Sequence, residues 1–226
     1  MKIGLLQCGH PPERISARHG SYPDLYANLL GHGLDWETWV VCDGAFPPGP
    51  EAADGWLVSG SRHGAYEDHP WIPPLEELIR GIVDARRPLV GICFGHQIVS
   101  QALGGRVAKY DGGWAVGRRV YEGADGPWAL NAWHQDQVIA PPENAETILW
   151  NDFTDYAGFR IGDGVLTMQP HPEFSGGYIA DMLEERGDGL PPDVLSEARA
   201  SAGVPTDDAR AGELIARFLL DHRSTP

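Results

Sequence analysis

The chain has 226 residues, with 17 Lys plus Arg against 32 Asp plus Glu and a formal net charge of −15. Such an acidic balance argues against a polyanion such as nucleic acid as partner and fits a neutral or small substrate better. The three cysteines, Cys8, Cys42 and Cys93, are widely spaced and form no CxxC pair, which excludes a disulfide framework and points to a reducing, cytoplasmic home.

In chain order, Lys2 to Cys8 reads as a buried first strand, followed by a polar, Pro-rich loop from Gly9 to about His19. A helix is expected next, capped by Ser21, with Pro23 in its first turn, Leu25, Leu29 and Leu30 on its apolar face, and Gly31 and Gly33 ending it. Asp35 to Cys42 reads as a second strand and Trp56 to Val58 as a third. Cys8 and Cys42 fall at strand ends, where small apolar packing is the expected role. Trp71 to Ala85 carries Leu75, Leu78, Ile79, Ile82 and Val83 at helical spacing and leads into Leu89, Val90 and Ile92, a short buried strand. Strands and helices therefore alternate through the first hundred residues, the pattern of a parallel sheet covered on both faces.

After Gly105 the pattern changes. Short stretches at Arg106–Tyr110, Val116–Tyr121, Gln137–Ile139, Thr147–Trp150 and Val165–Met168 predict antiparallel additions and the last strands. From Phe174 onward the chain reads as helical again, and Thr206 is a candidate cap for a closing helix carrying Leu214, Ile215, Phe218 and Leu219. One domain over residues 1–226, with a helical C-terminal segment from about residue 175, is the simplest organisation for this length. The N-terminal apolar run is too short for a signal peptide, and no stretch approaches the ~20 apolar residues of a membrane span.

The chemistry centres on Pro88–Gly105, PLVGICFGHQIVSQALGG. A buried strand, a sharp turn and a helix there would place Cys93 on a nucleophile elbow bracketed by Gly91 and Gly95. Free N–H groups of the following helix would favour a thiolate and hold a nearby oxyanion. A thiol attacking a carbonyl needs a base, and the base needs an orienting acceptor. QPHPEF at Gln169–Phe174 offers both, because His171 and Glu173 lie two apart and share one side of an extended segment. The G-x-C-x-G of the elbow also fits a cysteine α/β-hydrolase of the dienelactone-hydrolase kind, in which Asp152, Asp155 or Asp163 could precede His171 as the acid.

GICFGHQ at Gly91–Gln97 together with QPHPEF resembles the signature of class I glutamine amidotransferases. LVSGSRHGAYED at Leu57–Asp68 is similar to that family's oxyanion-turn segment, and WHQDQV at Trp133–Val138 to its His-x-Asp-x-Val loop. The blocks occur in the family's order and span most of the chain. Gln97, the Gly60 turn and Glu173 favour this resemblance over the α/β-hydrolase.

The resemblance implies a flavodoxin-like α/β fold, an open, mostly parallel sheet with helices on both faces and small antiparallel additions. It implies Cys93 as nucleophile, His171 as acid and base, and Glu173 as its orienting partner. Backbone N–H groups of Phe94, Gly60 and Ser61 would form the oxyanion hole, and Gln97, His134 and Asp136 would bind the substrate. The implied reaction hydrolyses the side-chain amide of glutamine through a cysteinyl thioester. It needs no metal and no organic cofactor, and a separate synthase would accept the ammonia. Many family members carry glycine at the position of Ser61, where a Cβ makes a positive φ uncomfortable. The Ser-Gly-Ser segment resembles the stand-alone branch that includes γ-glutamyl peptidases, whose leaving group is an amine. A γ-glutamyl peptidase with the same triad is thus one alternative function, and a non-catalytic binding or regulatory subunit is another.

Overall fold

The computed structural model describes residues 1–31 and 33–221. Five strands, β1 (Lys2–Gln7), β2 (Asp35–Val40), β3 (Gly55–Val58), β4 (Leu89–Ile92) and the late β11 (Val165–Met168), pair in parallel in the order β2-β1-β3-β4-β11. β3, β4 and β11 are buried on both faces, as continuous apolar runs require. The strand order has the 2-1-3-4-5 pattern of flavodoxin-like sheets, with β11 in the fifth place.

The antiparallel additions extend the same sheet. β10 (Gly158–Ile161), β9 (Ala145–Trp150), β6 (Ala115–Gly123) and β7 (Trp128–His134) continue it beyond β11, while β5 (Arg106–Lys109) and β8 (Asp136–Ala140) form a separate pair. β10 and β7 fall where no strand is expected. β10 is four residues long, too short to establish a period, and turns back into β11 through Gly162 at φ 54°. β7 is buried on both faces with Asn131 in its middle, so the alternation that signals a strand is missing.

Helices cover both faces. α3 (Ile72–Asp84) and α4 (Phe94–Ala102) pack on one side with Trp56, Leu75, Ile79 and Ile98 at the core. On the other lie α1 (Glu13–His19), α2 (Tyr22–Leu30), α5 (Gly176–Arg186), α6 (Pro192–Ser201) and α7 (Asp208–Asp221), which bury Tyr26, Tyr178, Ile215 and Phe218 against the sheet. The expected cap at Ser21 forms a capping box with Asp24. α1 interrupts the segment expected to be loop. It buries Ile15 alone, which leaves no apolar periodicity to read, and it docks on α5 through Arg18 and His19 to Asp181 and Arg14 to Glu185.

Residues 176–221 share the core of the sheet rather than forming a separate cluster. Residues 222–226 of the expected C-terminal segment lie outside the described residues. The expected cap at Thr206 is displaced by one position, since the first helical bond of α7 runs from Ala211 N–H to the Asp207 carbonyl at 3.0 Å. Asp207 also clamps edge strand β7. Its N–H donates to Ala129 O at 2.7 Å, and its carboxylate accepts from Ala129 N at 2.7 Å. A covered sheet edge is protected from pairing with another chain. Asp207→Ala strands the Ala129 donor, and a loss of about 1–3 kcal/mol is expected in chemical denaturation; an unchanged midpoint would mean that the clamp contributes nothing.

Candidate active site

Cys93 follows β4 directly and precedes the first residue of α4, with φ 54° and ψ −105°. Among the described non-glycine residues only Arg86 shares a positive φ, and such a conformation costs about 1–3 kcal/mol. Two glycines make it possible. A Cβ on Gly91 would stand 2.5 Å from Gly95 O, and one on Gly95 would stand 2.2 Å from Val58 O, so α4 crosses β3 and β4 at backbone contact. The Cys93 N–H donates to Met168 O at 2.9 Å, tying the elbow to the end of β11.

The chain leaving β11 delivers Gln169, His171 and Glu173 to the same place. His171 Nδ1 is 2.7 Å from Glu173 Oε1, both side chains are buried, and the imidazole reaches the Cys93 thiol on its other side. The acid in contact with His171 is thus Glu173, whereas Asp152, Asp155 and Asp163 are all exposed. Tyr26 donates to the same Glu173 oxygen at 3.1 Å. His171 N–H donates to Asn131 O at 2.8 Å, and Asn131 Nδ2 to Phe174 O at 2.7 Å. Phe174 stacks on the imidazole with centroids 4.0 Å apart and planes 5° apart, and Tyr178 stacks behind Phe174 at 4.0 Å. Burial opposes a charge on His171, but its interactions with Cys93 and Glu173 outweigh it and raise its pKa to about 10.

The expected oxyanion turn lies against this pair. A Cβ on Gly60 would stand 3.0 Å from His171 Cε1 and 3.9 Å from Cys93 Cβ, so the backbone approaches as closely as glycine permits. Ser61 has no positive φ, and its hydroxyl accepts from His63 N–H at 3.2 Å. The turn therefore takes a side chain without strain. Gly60 N–H interacts with the Tyr26 phenol, while Ser61 lines the pocket with Cys93. Phe94 opens α4, so its N–H is one of the donors a helix leaves without an intrahelical acceptor.

Gln97 is buried and lines the same pocket, with its amide held by the protein. Nε2 donates to Asp136 O at 2.9 Å and to Gln169 Oε1 at 3.1 Å, and Gln169 Nε2 donates in turn to Cys93 Sγ at 3.6 Å. His134 Nδ1 lies 3.2 Å from Asp136 O, and burial pushes its pKa down to about 3, so the ring is neutral. Burial raises the Asp136 carboxyl, which accepts from Tyr66 at 3.1 Å. Gln169, Asn131, Tyr26 and Phe174 are site residues that the sequence reading did not single out as such; adjacency to His171 was the only signal, and it covered Gln169 and Phe174 alone. His96, beside the elbow, is a core residue: it stacks on Phe159 and faces Thr167 Oγ1 at 2.8 Å. Cys8 is buried as expected, whereas Cys42 is partly exposed beside Asp43.

The pocket over Cys93 encloses about 480 Å³ and extends past Trp114 and Trp133 to Lys109 and Arg186. A thiol on a strained elbow, an imidazole held by a buried carboxylate and an adjacent backbone turn are the parts that nucleophilic attack on a carbonyl requires. The sequence profile of glutamine amidotransferase class-I matches residues 49–186, and the chain belongs to that family. It is 33% identical to gamma-glutamyl peptidase 4 of Arabidopsis thaliana over 74% of this chain and 73% of that one. It is 30% identical to a glutamine-hydrolysing GMP synthase of Bacteroides fragilis over 62% of this chain but only 29% of that one. A glutamine amidotransferase structure from Methylobacillus flagellatus shares the fold, with TM-score 0.77 at 18% identity over 99% of this chain and 95% of that one. The expected α/β architecture and family are thereby established. No described helix is long and apolar enough to cross a membrane.

The raised pKa of His171 has a definite sign. Its folded value lies above 6.5, so its contribution to stability is complete below about pH 6.5 and is lost as pH rises through about 10. Histidine NMR titration should find His171 protonated at neutral pH in the wild type. In Cys93→Ser, which lacks the ionisable thiol, it should lose its proton at lower pH; identical titrations would disprove the coupling of Cys93 to His171.

Proposed function

We propose that the protein is a cysteine-dependent hydrolase of γ-glutamyl amide bonds, with γ-glutamyl peptides as its best-supported substrates. The carrying observation is the continuous contact from Cys93 through His171 to Glu173. The Cys93 thiolate attacks the γ-carbonyl carbon, and the carbonyl electron pair moves to oxygen. Backbone N–H groups of Phe94 and Ser61 stabilise that oxyanion, with Gly60 shaping the turn. His171, its Nδ1 held by Glu173, gives its other ring proton to the leaving nitrogen as the C–N bond breaks. A glutamyl thioester and a neutral His171 remain. His171 then takes a proton from water, hydroxide displaces the thiolate, and glutamate leaves.

Gln97, His134 and Asp136 shape the wall beside the thiol. Gln97 acts by fixing Gln169 and the 134–136 loop, and the Tyr66–Asp136 pair borders the pocket. A pocket of about 480 Å³ falls in the roughly 300–1,000 Å³ range of sites that enclose drug-sized ligands. That leaves room for an amine portion beyond the glutamyl group and supports a substrate larger than glutamine. The likeness to gamma-glutamyl peptidase 4 favours the same reading. Glutamine hydrolysis is the second reading, favoured by the family itself and by the likeness to GMP synthase. In that case ammonia leaves and a separate synthase is its acceptor. The buried, fully assembled triad argues against a non-catalytic subunit.

Purified protein assayed on glutamine and on γ-glutamyl dipeptides should release glutamate faster from the dipeptides; a clear preference for glutamine would install the second reading. Cys93→Ser should lose roughly 10³-fold or more of either activity. Glu173→Ala should cost roughly 10³-fold while Asp152→Ala, Asp155→Ala and Asp163→Ala stay near wild type. A large loss in any of those three would point to a different orienting acid.

A further inference from the structure

Beyond the triad, the loop between β3 and α3 carries a second convergence of side chains. His63, Glu67 and His69 place their ligand-capable atoms within 4.8 Å of one another. His63 Nδ1 is 3.2 Å from Glu67 Oε2, and His69 Nε2 is 2.7 Å from the same oxygen. The two imidazoles meet edge to face with centroids 4.2 Å apart, and His69 stacks on Trp71. Trp71 is buried and stands immediately before α3, so the second ring rests on a fixed surface. Turn bonds from Glu67 N to Gly64 O and from His69 N to Glu67 O, both 3.0 Å, hold the three residues on one short stretch of backbone.

We propose that His63, Glu67 and His69 form a three-ligand site for a zinc-class divalent cation at the rim of the Cys93 pocket. Two imidazoles and one carboxylate are the donor set that borderline cations such as Zn²⁺ prefer over Mg²⁺ or Ca²⁺, which favour all-oxygen shells. Zinc–ligand bonds of about 2.0–2.2 Å put neighbouring donors in a tetrahedral shell roughly 3.3 Å apart. The 3.2 Å pair already has that spacing, and the 2.7 Å pair opens by about half an ångström when the cation replaces the shared proton. His63 and Glu67 both line the pocket that holds Cys93. A cation between them therefore stands at its rim, with its remaining coordination open to water or to a donor group of a bound molecule.

Arg62 is the opposing feature. Its Nε approaches His63 Nε2 at 3.5 Å, at the outer limit of a hydrogen bond. Metal on Nδ1 moves the ring proton to Nε2 and expels this contact, so Arg62 weakens binding both by its charge and by the bond lost. The site is distinct from the catalytic chemistry, which needs no metal.

Zinc titration by calorimetry is the test, performed on the full chain in a Cys93→Ser background so that the nucleophilic thiol cannot supply a ligand. One equivalent of Zn²⁺ should bind. His63→Ala and His69→Ala should each weaken it about tenfold or more, Arg62→Gln should tighten it, and Cys42→Ser, which alters the separate His10–Cys42–Asp43 cluster, should leave it unchanged. Thermal unfolding without metal should show that each variant is folded, and Co²⁺ should give a visible absorption band that His69→Ala abolishes. Absence of stoichiometric binding, its persistence in folded His69→Ala, or its loss in Cys42→Ser would overturn the proposal.

Discussion

The elbow at Cys93 is possible only because α4 lies on the β3 and β4 backbones with no side chain between them. Cβ atoms at Gly91 and Gly95 would fall at 2.5 Å and 2.2 Å from backbone oxygens, distances at which the helix would have to lift away. With the helix seated, the chain accepts φ 54° at Cys93, and the local cost is carried by buried β-structure on both sides of β4. The parallel register of β4 with β11 pairs Thr167 with Gly91 and Met168 with Ile92. Residues leaving β11 consequently emerge beside the thiol. Cys93 and His171, far apart in sequence, are brought together by strand pairing more than by any contact of their own.

Support for the imidazole comes from both halves of the sheet. Asn131 of β7, in the antiparallel half, holds the His171 backbone and the Phe174 carbonyl. Tyr26 of α2, in the parallel half, holds Glu173. The stack of His171, Phe174 and Tyr178 sets the ring plane. Groups fixed in this way need no reorganisation when charge develops, which is where preorganised polar sites gain their effect. The antiparallel strands are thus part of the site's framework, and α7, through Asp207 on Ala129, secures the edge from which Asn131 projects.

Charge is distributed to match. His171 sits between Cys93 and Glu173, which favour its charged form, whereas His134 and His96 are buried without a carboxylate, and burial pushes each down to about 3. Three buried histidines in one neighbourhood therefore differ, because His171 alone has Cys93 and Glu173 to offset its burial, while nearby cationic groups add to the effect of burial on His134.

The apolar runs at β1, β3, β4 and β11, the heptad-like face of α3 and the glycines around Cys93 were legible because each depends on short-range sterics and periodic burial. The same holds for the Cys93, His171 and Glu173 combination, whose residue types and order carry their chemistry on the surface of the sequence. Helix α1, with one buried apolar residue, and strand β7, buried on both faces around Asn131, left no period to detect and are made by contacts with α5 and with β6. Tertiary structure alone decided that Gln97 reaches the thiol through Gln169, and that Tyr26 and Asn131 brace Glu173 and the His171 segment. Each of those facts is a distance between segments that sequence spacing does not encode, set by how the parallel and antiparallel halves of one sheet meet at β11.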